Sequence, residues 1–372
     1  MTTLLSKAPK HRARFHTLTV TDVERLTDDA VALTFSIPDD LIEEYAFQPG
    51  QHLTLRAKIN GEDVRRSYSI SRSAGYVSSN KKMRVATARV ANGVMSNWIN
   101  DTVAAGDQLE VMTPAGSFIC PTDTTRAKHH LAIVGGSGIT PVMSLLATAL
   151  EDEPQSQATL LYGNRRTSTI MFLEELADLK NEYPTRFHLI NVLEDEAPDV
   201  ELFNGRLDKE RLTTILDDIV GIESVDEWYM CGPLPMVEGA QALLNERGVD
   251  PHIIHHELFH VDNQPPTGVV EKVVVDDAAP PAAVVTVNLD GRTTIVKMPT
   301  KAETILAATL RARPDAPFSC AGGVCGTCRA RVIEGEVAMD RNWALEPDEV
   351  AAGVILACQA HPVTDTVVLD YD

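Results

Sequence analysis

The sequence contains no run of about 18 consecutive apolar residues, the length that a membrane-spanning helix requires. The N-terminal segment, MTTLLSKAPKHRAR, is polar and basic and has no apolar core of the kind found in secretory signals. Basic residues are outnumbered by acidic ones: the sequence has 33 Lys and Arg and 53 Asp and Glu, so the net charge is −20. Such acidity disfavours nucleic acids and anionic membrane surfaces. We therefore expect neither a membrane nor a nucleic-acid partner.

Cysteine is also scarce, with six residues in 372, and we expect no disulfide among them. Four follow the spacing C-x4-C-x2-C, a long gap and one more Cys, namely Cys320, Cys325, Cys328 and Cys358. This spacing is typical of plant-type [2Fe–2S] ferredoxins, and the glycines within it allow a tight loop whose N–H groups approach the cluster sulfurs. Structural zinc is the alternative, but it usually takes two C-x2-C pairs or a pair with His. Reduced cysteines at a redox cluster indicate a cytoplasmic protein.

The length and the hydrophobic pattern predict several domains. Residues 11–125 contain short alternating segments between Gly and Pro turns, which favour an antiparallel β-barrel. Residues 126–262 alternate apolar strands with helical patterns, which is typical of an α/β doubly wound parallel sheet. Residues 263–282 have the composition of a linker. Residues 283–372 open with a hairpin pattern around the dipeptide Asp290-Gly291 and carry the four cysteines.

Three short motifs suggest ligand sites, although each has an ordinary structural explanation. GGSGITP (135–141) follows a predicted strand and opens a helix, where a pyrophosphate can approach the backbone. RSYS (66–69), placed after a strand, offers an Arg for phosphate, a ring for stacking and a hydroxyl donor. CGP (231–233) ends a later strand, where open α/β sheets bind ligands. Alone, the glycine motif is as compatible with a purely structural turn, and a surface Arg with a core Tyr, or a turn with a buried Cys, is the commoner explanation of the other two.

In this order the three motifs resemble the ferredoxin–NADP reductase superfamily, which has a flavin-binding β-barrel followed by a nicotinamide-binding α/β domain. With the appended ferredoxin-type domain, an α+β β-grasp fold, the resemblance covers nearly the whole chain. Longer stretches such as FQPGQHLTL (47–55), CAGGVCGTC (320–328) and GEVAMDRNWALEPDE (335–349) are similar to the reductase subunits of phenylacetyl-CoA epoxidases.

The resemblance also implies roles for individual residues. Around the flavin, Arg66 would bind the pyrophosphate, Tyr68 would stack on the isoalloxazine, and Ser69 would hydrogen-bond near its reactive nitrogen, with further contacts from Gly93, Ser96, Glu257 and Phe259. The nicotinamide nucleotide would contact Gly136, Gly138, Thr140, Cys231 and Gly232, and of the site residues Ser69, Cys231 and Glu257 would lie at the reacting atoms. Arg165 and Arg166 are candidates for an adenosine 2′-phosphate, or else ordinary surface charges.

The resemblance therefore implies an NADPH-dependent oxidoreductase that passes electrons through FAD and the [2Fe–2S] cluster to the subunits of a multicomponent oxygenase. A flavin belongs between the other two groups because NADPH gives two electrons as a hydride and the cluster takes one at a time. Three alternatives stay open: FMN in place of FAD, a partner from a steroid hydroxylase or ring-hydroxylating dioxygenase, and a non-enzymatic zinc or redox-sensing module.

Overall fold

The computed structural model describes residues 13–196, 200–259, 269–270 and 280–371. Most of the predicted linker, residues 263–282, lies outside the described residues. Of its described part, Val269 packs against the core of the N-terminal sheet and Val270 against the core of the C-terminal sheet. Within the described ranges, no helix combines the length and the apolar character needed to cross a membrane.

The N-terminal part of the chain forms a six-stranded antiparallel sheet with the spatial order β4-β3-β6-β1-β2-β5. The strands are β1 (Phe15–Thr27), β2 (Ala30–Ser36), β3 (His52–Ile59), β4 (Glu62–Ser69), β5 (Lys82–Ala88) and β6 (Gln108–Met112). The two edge strands meet through a bridge between Ile70 and Val85, and the Ser71 N–H donates to the Arg84 carbonyl at 2.8 Å. The sheet thus closes on itself, and the predicted β-barrel is confirmed.

Two helices complete this barrel, α1 (Ala74–Asn80) and α2 (Val94–Thr102). The side chain of Ser73 caps α1 by accepting a hydrogen bond from the Tyr76 N–H. Helix α2 has Gly93 at its N-cap and therefore no capping side chain. Its first turn is left open to a ligand.

The middle part of the chain is a five-stranded parallel sheet with the order β11-β10-β7-β8-β9, as the doubly wound pattern predicted. Its elements are β7 (His129–Gly135), α3 (Ile139–Asp152), β8 (Gln157–Asn164), α4 (Leu173–Glu182), β9 (Phe187–Leu193), α5 (Lys209–Ile215), β10 (Glu227–Cys231), α6 (Leu234–Glu246) and β11 (Ile254–Glu257). Both faces are buried: Ala132 and Val134 belong to one hydrophobic core, Leu131 and Ile133 to another. Because the strands are parallel, their carboxyl ends share one edge of the sheet, which is where such sheets bind ligands.

The C-terminal part folds around a five-stranded sheet with the order β13-β12-β18-β14-β16, in which β12 and β18 are parallel. Its elements are β12 (Ala283–Leu289), β13 (Arg292–Met298), α7 (Ile305–Ala312), β14 (Arg329–Glu334), β15 (Val337–Met339), α8 (Pro347–Ala351), β16 (Val354–Leu356), β17 (Ala360–Pro362) and β18 (Thr366–Asp370). The predicted turn at Asp290-Gly291 joins β12 to β13, and both residues have positive φ. Helix α7 packs on this sheet as in a β-grasp fold.

The three parts of the chain are in contact. Ala30, Ala32 and Ala86 of the barrel share a hydrophobic core with Val142 and Leu146 of α3. Trp343 of the C-terminal part packs against the other core of the parallel sheet. The site described next is built from all three parts.

Candidate active site

A cleft that holds about 900 Å³ of empty space, its open mouth included, lies where the three parts of the chain meet. The barrel, the parallel sheet and the C-terminal part all contribute to its walls, and the lining residues include Arg66, Tyr68, Ser69, Gly93, Ser96, Thr140, Glu257, Phe259, Cys320 and Cys325. Ten of the residues selected from the sequence are therefore brought together in one place. Several others lie outside the cleft, as described below.

Strand β4 supplies the residues with the flavin-type pattern. The sequence analysis expected Arg66–Ser69 to follow a strand, and this is wrong. They form the carboxyl half of strand β4 itself, which pairs with β3. The side chains of a strand alternate between its two faces, so Arg66 and Tyr68 share one face and Ser67 and Ser69 the other. Burial lowers the pKa of Arg66 and raises that of Tyr68. A half-buried guanidinium and a half-buried ring in one cleft suit the phosphates and the flat ring of a flavin.

The N-terminus of α2 forms another wall of the cleft. Gly93, Val94, Met95 and Ser96 all line it. Because Gly93 offers no capping side chain, the first amides of the helix carry positive charge toward the cleft, as an anion requires. The Ser96 hydroxyl accepts a hydrogen bond of 3.2 Å from the Val90 N–H, which fixes the approach to the helix.

The glycine turn after β7 and the end of β10 touch each other. A Cβ atom at Gly138 would lie 2.1 Å from the Cys231 carbonyl oxygen, and one at Gly232 would lie 2.8 Å from the Gly135 nitrogen. Gly136 has φ +52° and open space around it. Glycines at 138 and 232 are thus required for close approach of two backbones at the carboxyl edge of the sheet.

Of the five residues selected for the nicotinamide nucleotide, only Thr140 lines the cleft. Cys231 is fully buried behind the glycine turn, and burial keeps the pKa of its thiol well above the usual value. The thiol is therefore neutral at physiological pH. Thr140 donates a hydrogen bond of 3.1 Å to the Ser137 carbonyl, which closes the turn.

Glu257, at the end of β11, connects the parallel sheet with the barrel. The Ser69 hydroxyl donates to its Oε2 at 3.3 Å, and its Oε1 lies 4.0 Å from Nδ1 of His52. Burial, opposed by the Ser69 hydrogen bond, raises the pKa of Glu257 to about 8. His52 was missed by the sequence analysis, although it stands in the PGQH segment that carried the resemblance. Phe259 lines the same wall.

Arg165 and Arg166 lie outside the cleft, directly after β8. Both are exposed. Arg166 forms an ion pair of 3.7 Å with Asp195, whereas Arg165 has no ion-pair partner in the ranges that the structure describes. The carboxyl end of the second strand of such a sheet is where the adenosine ribose of a dinucleotide binds.

The four cysteines of the C-terminal part converge. Cys320, Cys328 and Cys358 are buried and Cys325 is half-buried. Within this group, the thiols of Cys320 and Cys325, of Cys320 and Cys358, and of Cys328 and Cys358 interact directly. The Gly322 N–H donates to Cys320 Sγ at 3.3 Å.

This donor set suits a two-iron cluster. A tetrahedral zinc ion needs four ligands around a single point, whereas two irons share the four thiolates between them. Gly323 and Gly326 have φ of +81° and +66°, which lets the loop wind around the group it holds.

Matches to protein families agree with this division of the chain. Residues 17–119 match the family described as the oxidoreductase FAD-binding domain and residues 132–242 match the oxidoreductase NAD-binding domain. Residues 287–363 match the 2Fe-2S iron-sulfur cluster binding domain. The expected flavin, nicotinamide and iron–sulfur cofactor domains are therefore confirmed.

Relatives match over the full length. The chain is 43% identical to a component of the 1,2-phenylacetyl-CoA epoxidase of Escherichia coli K12, over 96% of this chain and 98% of the relative. It is 34% identical to the ferredoxin reductase component of 3-ketosteroid-9-alpha-monooxygenase of Rhodococcus rhodochrous, over 97% and 98%. The solved structure of phthalate dioxygenase reductase has the same fold, with a TM-score of 0.56 and 21% identity over 96% of this chain and 98% of that one. The chain therefore belongs to the ferredoxin–NADP reductase superfamily, in the family of oxidoreductases with a C-terminal [2Fe–2S] domain that includes this component of phenylacetyl-CoA epoxidase.

Proposed function

We propose that this protein takes electrons from NADPH and passes them through FAD and a [2Fe–2S] cluster to the oxygenase subunits of a phenylacetyl-CoA epoxidase. The observation that carries the proposal is the shared cleft: Tyr68 and Ser69 of the barrel, Glu257 of the parallel sheet, and Cys320 and Cys325 of the cluster loop line one space. A flavin held there lies next to both its electron donor and its acceptor.

The residues of the cleft have distinct tasks in this proposal. A bound flavin supplies the conversion of a hydride into single electrons. Tyr68 provides the face on which the ring lies, and Arg66 with the open N-terminus of α2 compensates the phosphate charge. Ser69 and Glu257 form a hydrogen-bonded pair that holds a proton at the edge of the ring, since the pKa of about 8 keeps the carboxyl neutral at pH 7.

The nucleotide site is proposed for the carboxyl edge of the parallel sheet. Gly138, the N-cap of α3, has no capping side chain, which suits a pyrophosphate at the start of this helix, and the exposed Arg165 would pair with a 2′-phosphate. The buried thiol of Cys231 would give the nicotinamide an uncharged wall. The exposed guanidinium of Arg165 supports NADPH over NADH as the electron donor.

The domain boundaries belong to the same proposal. Residues 11–125 would bind flavin, 126–262 the nucleotide and 283–372 the cluster, with 263–282 as a linker. Support comes from the family matches, each of which lies inside one of these ranges. The four cluster ligands are Cys320, Cys325, Cys328 and Cys358, supported by their convergence.

The choice of partner rests on similarity. The identity to the epoxidase component is 43% and that to the ketosteroid monooxygenase component is 34%, which makes the latter type of oxygenase the second candidate. A net charge of −20 on an electron carrier favours a basic docking surface on the partner. The proposal also includes a cytoplasmic location for the protein, because the cluster thiols must stay reduced.

Reconstitution tests the proposal. The purified protein should be yellow-brown, with flavin and iron–sulfur absorption bands, and should support NADPH-dependent oxygenation when mixed with the oxygenase components of a phenylacetyl-CoA epoxidase. Ketosteroid hydroxylase components serve as the comparison partner. Turnover with the hydroxylase components and not with the epoxidase components would show that the partner is a ketosteroid hydroxylase. A colourless protein that binds zinc would overturn the whole proposal.

A further inference from the structure

The guanidinium of Arg65 is buried at the seam between the barrel and the C-terminal part. Its Cζ lies 5.1 Å from the centre of the Phe15 ring and 4.1 Å from the centre of the Phe318 ring. Phe15 belongs to β1 of the barrel, and Phe318 stands two residues before Cys320. One cation therefore joins an aromatic ring from each side of the seam.

Burying this cation costs free energy of desolvation, which indicates that its position serves a function. Arg65 is 4% exposed, and its Nε has no hydrogen-bond acceptor in the part of the chain that the structure describes. Burial lowers the pKa of Arg65 to about 10. Apolar side chains of similar volume would fill a seam without desolvating a charge. The ring faces compensate the cation, and the nearer of the two, that of Phe318, does so only while the C-terminal part is docked.

Two further contacts continue the same seam toward the cleft. The Ser67 hydroxyl donates to Ser319 Oγ at 2.9 Å, and Nε2 of His52 lies 3.3 Å from Thr327 Oγ1. Arg65 and Ser67 share one face of β4, and His52 pairs with Ser69 across β3 and β4. The cluster loop, residues 318–328, thus rests on one face of β4.

The opposite face of β4 carries Arg66 and Tyr68, the proposed flavin contacts. A single strand thereby sets the position of both redox sites. Its rigidity as a paired strand of the barrel makes that position reproducible.

We infer that Arg65 is a positioning residue for electron transfer from the flavin site to the cluster, because it docks the cluster loop on β4. This inference rests on the proposed function. The step moves one electron from the reduced flavin to the oxidised cluster and forms or breaks no bond between them. Its rate depends on the distance and orientation of the two groups, so loosening the loop slows this step and no earlier one.

Arg65→Met tests the inference, with Arg56→Met as the matched control. Arg56 is the cross-strand neighbour of Arg65 and lies 5.8 Å from the same Phe15 ring, but its ion pairs are with Asp63 and Glu110 of the barrel. Rapid mixing of each holoenzyme with NADPH separates flavin reduction from cluster reduction. We expect cluster reduction to slow about tenfold or more in Arg65→Met, with flavin reduction unchanged, and neither step to slow in the control.

Hydrogen–deuterium exchange of residues 318–328 in the holoenzymes gives a readout independent of electron flow. Exchange should rise in Arg65→Met and in Phe318→Leu, rise less in Arg65→Lys, and stay at the wild-type level in Arg56→Met. If Arg65→Met does not fold, Phe318→Leu carries both measurements. Wild-type behaviour of both variants overturns the inference. Absence of flavin-to-cluster transfer in the wild type overturns the proposed function instead, and the exchange result still decides whether Arg65 docks the loop.

Discussion

The hydroxyl of Ser69 donates a hydrogen bond of 3.3 Å to Oε2 of Glu257. Ser69 ends β4 of the barrel and Glu257 ends β11 of the parallel sheet, so this bond joins two different sheets at the wall of the cleft. Because burial raises the pKa of Glu257 to about 8, the pair is neutral at pH 7. A neutral pair beside a flavin holds a proton without repelling the negative charge that a hydride brings.

Glu257→Gln is therefore expected to resemble the wild type at neutral pH. If the neutral carboxyl is the working form, wild-type flavin reduction falls about tenfold per pH unit above pH 8. Glutamine has no proton to lose and should flatten this dependence. Stopped-flow flavin reduction between pH 6 and 10 measures it, and Ser69→Ala serves as a second variant that removes the hydrogen bond to Glu257 together with the hydroxyl itself.

The same substitution has a signature in stability. The folded-state pKa of Glu257 lies above its ordinary value, so the folded protein binds more protons than the unfolded one between those two values. As the pH rises toward 8, the free energy of unfolding of the wild type therefore falls relative to that of Glu257→Gln. At low pH, where the carboxyl is protonated in both the folded and the unfolded state, this loss is absent. A difference in melting temperature between the two proteins that does not change with pH would contradict a buried, protonated carboxyl.

Cys325→Ser is expected to abolish the [2Fe–2S] signal in electron paramagnetic resonance while flavin stays bound. Losing one thiolate leaves one iron without a ligand, and the barrel contacts of the flavin are on other residues. NADPH should still reduce the flavin, whereas electron transfer to a one-electron protein acceptor should drop to background. Cys120→Ser, which removes a buried thiol outside the cluster loop, is the control. Loss of all flavin from Cys325→Ser would show that the two sites are not independent.

Gly138→Ala tests the contact between the glycine turn and β10. The added Cβ would overlap the Cys231 carbonyl at 2.1 Å, and backbone on both sides must move. Overpacking of this kind costs about 1–3 kcal/mol of unfolding free energy and should also weaken nucleotide binding. Gly239→Ala in the interior of α6 is the control, since its Cβ would meet neighbours at an ordinary 3.7 Å and helix propensity favours Ala. Equal melting temperatures for both variants would contradict the close approach.

The sequence predicted the regular elements well because their signals are local. The apolar run at His129–Val134 and the Asp290-Gly291 turn needed no distant partner to be recognised, and both lie where they were predicted. The cysteine spacing was informative for the same reason: the loop that winds around the cluster is encoded within nine residues. Strand β4 was missed as a strand because its polar run, EDVRRSYS, lacks the apolar alternation of a half-buried strand.

Contacts between the three parts of the chain could not be predicted from the sequence. Nothing local marks Arg65 as buried, since an Arg on a strand is usually exposed, and its partner Phe318 is more than 250 residues away. His52 contacts Thr327 through a separation of 275 residues. Cys231, which the sequence analysis expected beside a ligand, is fully buried behind the glycine turn, and its place beside a nicotinamide stays a prediction. Tertiary packing, which one sequence does not reveal, decides all three.

Arg165→Gln is expected to raise the KM for NADPH about tenfold and to leave the KM for NADH unchanged. A charge-assisted pair with the 2′-phosphate is lost, and NADH lacks that phosphate. Arg166→Gln is the matched control, because its guanidinium is already paired with Asp195. Equal effects of Arg165→Gln on both nucleotides, or a wild type that prefers NADH, would remove the phosphate-binding role.

Limited proteolysis is expected to cut the chain between about residues 262 and 283. Four prolines and seven polar or charged residues among the twenty from 263 to 282 give this segment the composition of an extended linker, and extended segments fit protease active sites. The cut should release a brown C-terminal fragment of about 90 residues, a size typical of a small domain. The remaining N-terminal fragment should keep its flavin and its reduction by NADPH, yet lose electron transfer to the oxygenase. If loops elsewhere are nicked while this segment resists, the C-terminal domain is permanently docked through Arg65 and its neighbours, and the oxygenase must then receive electrons from the docked form.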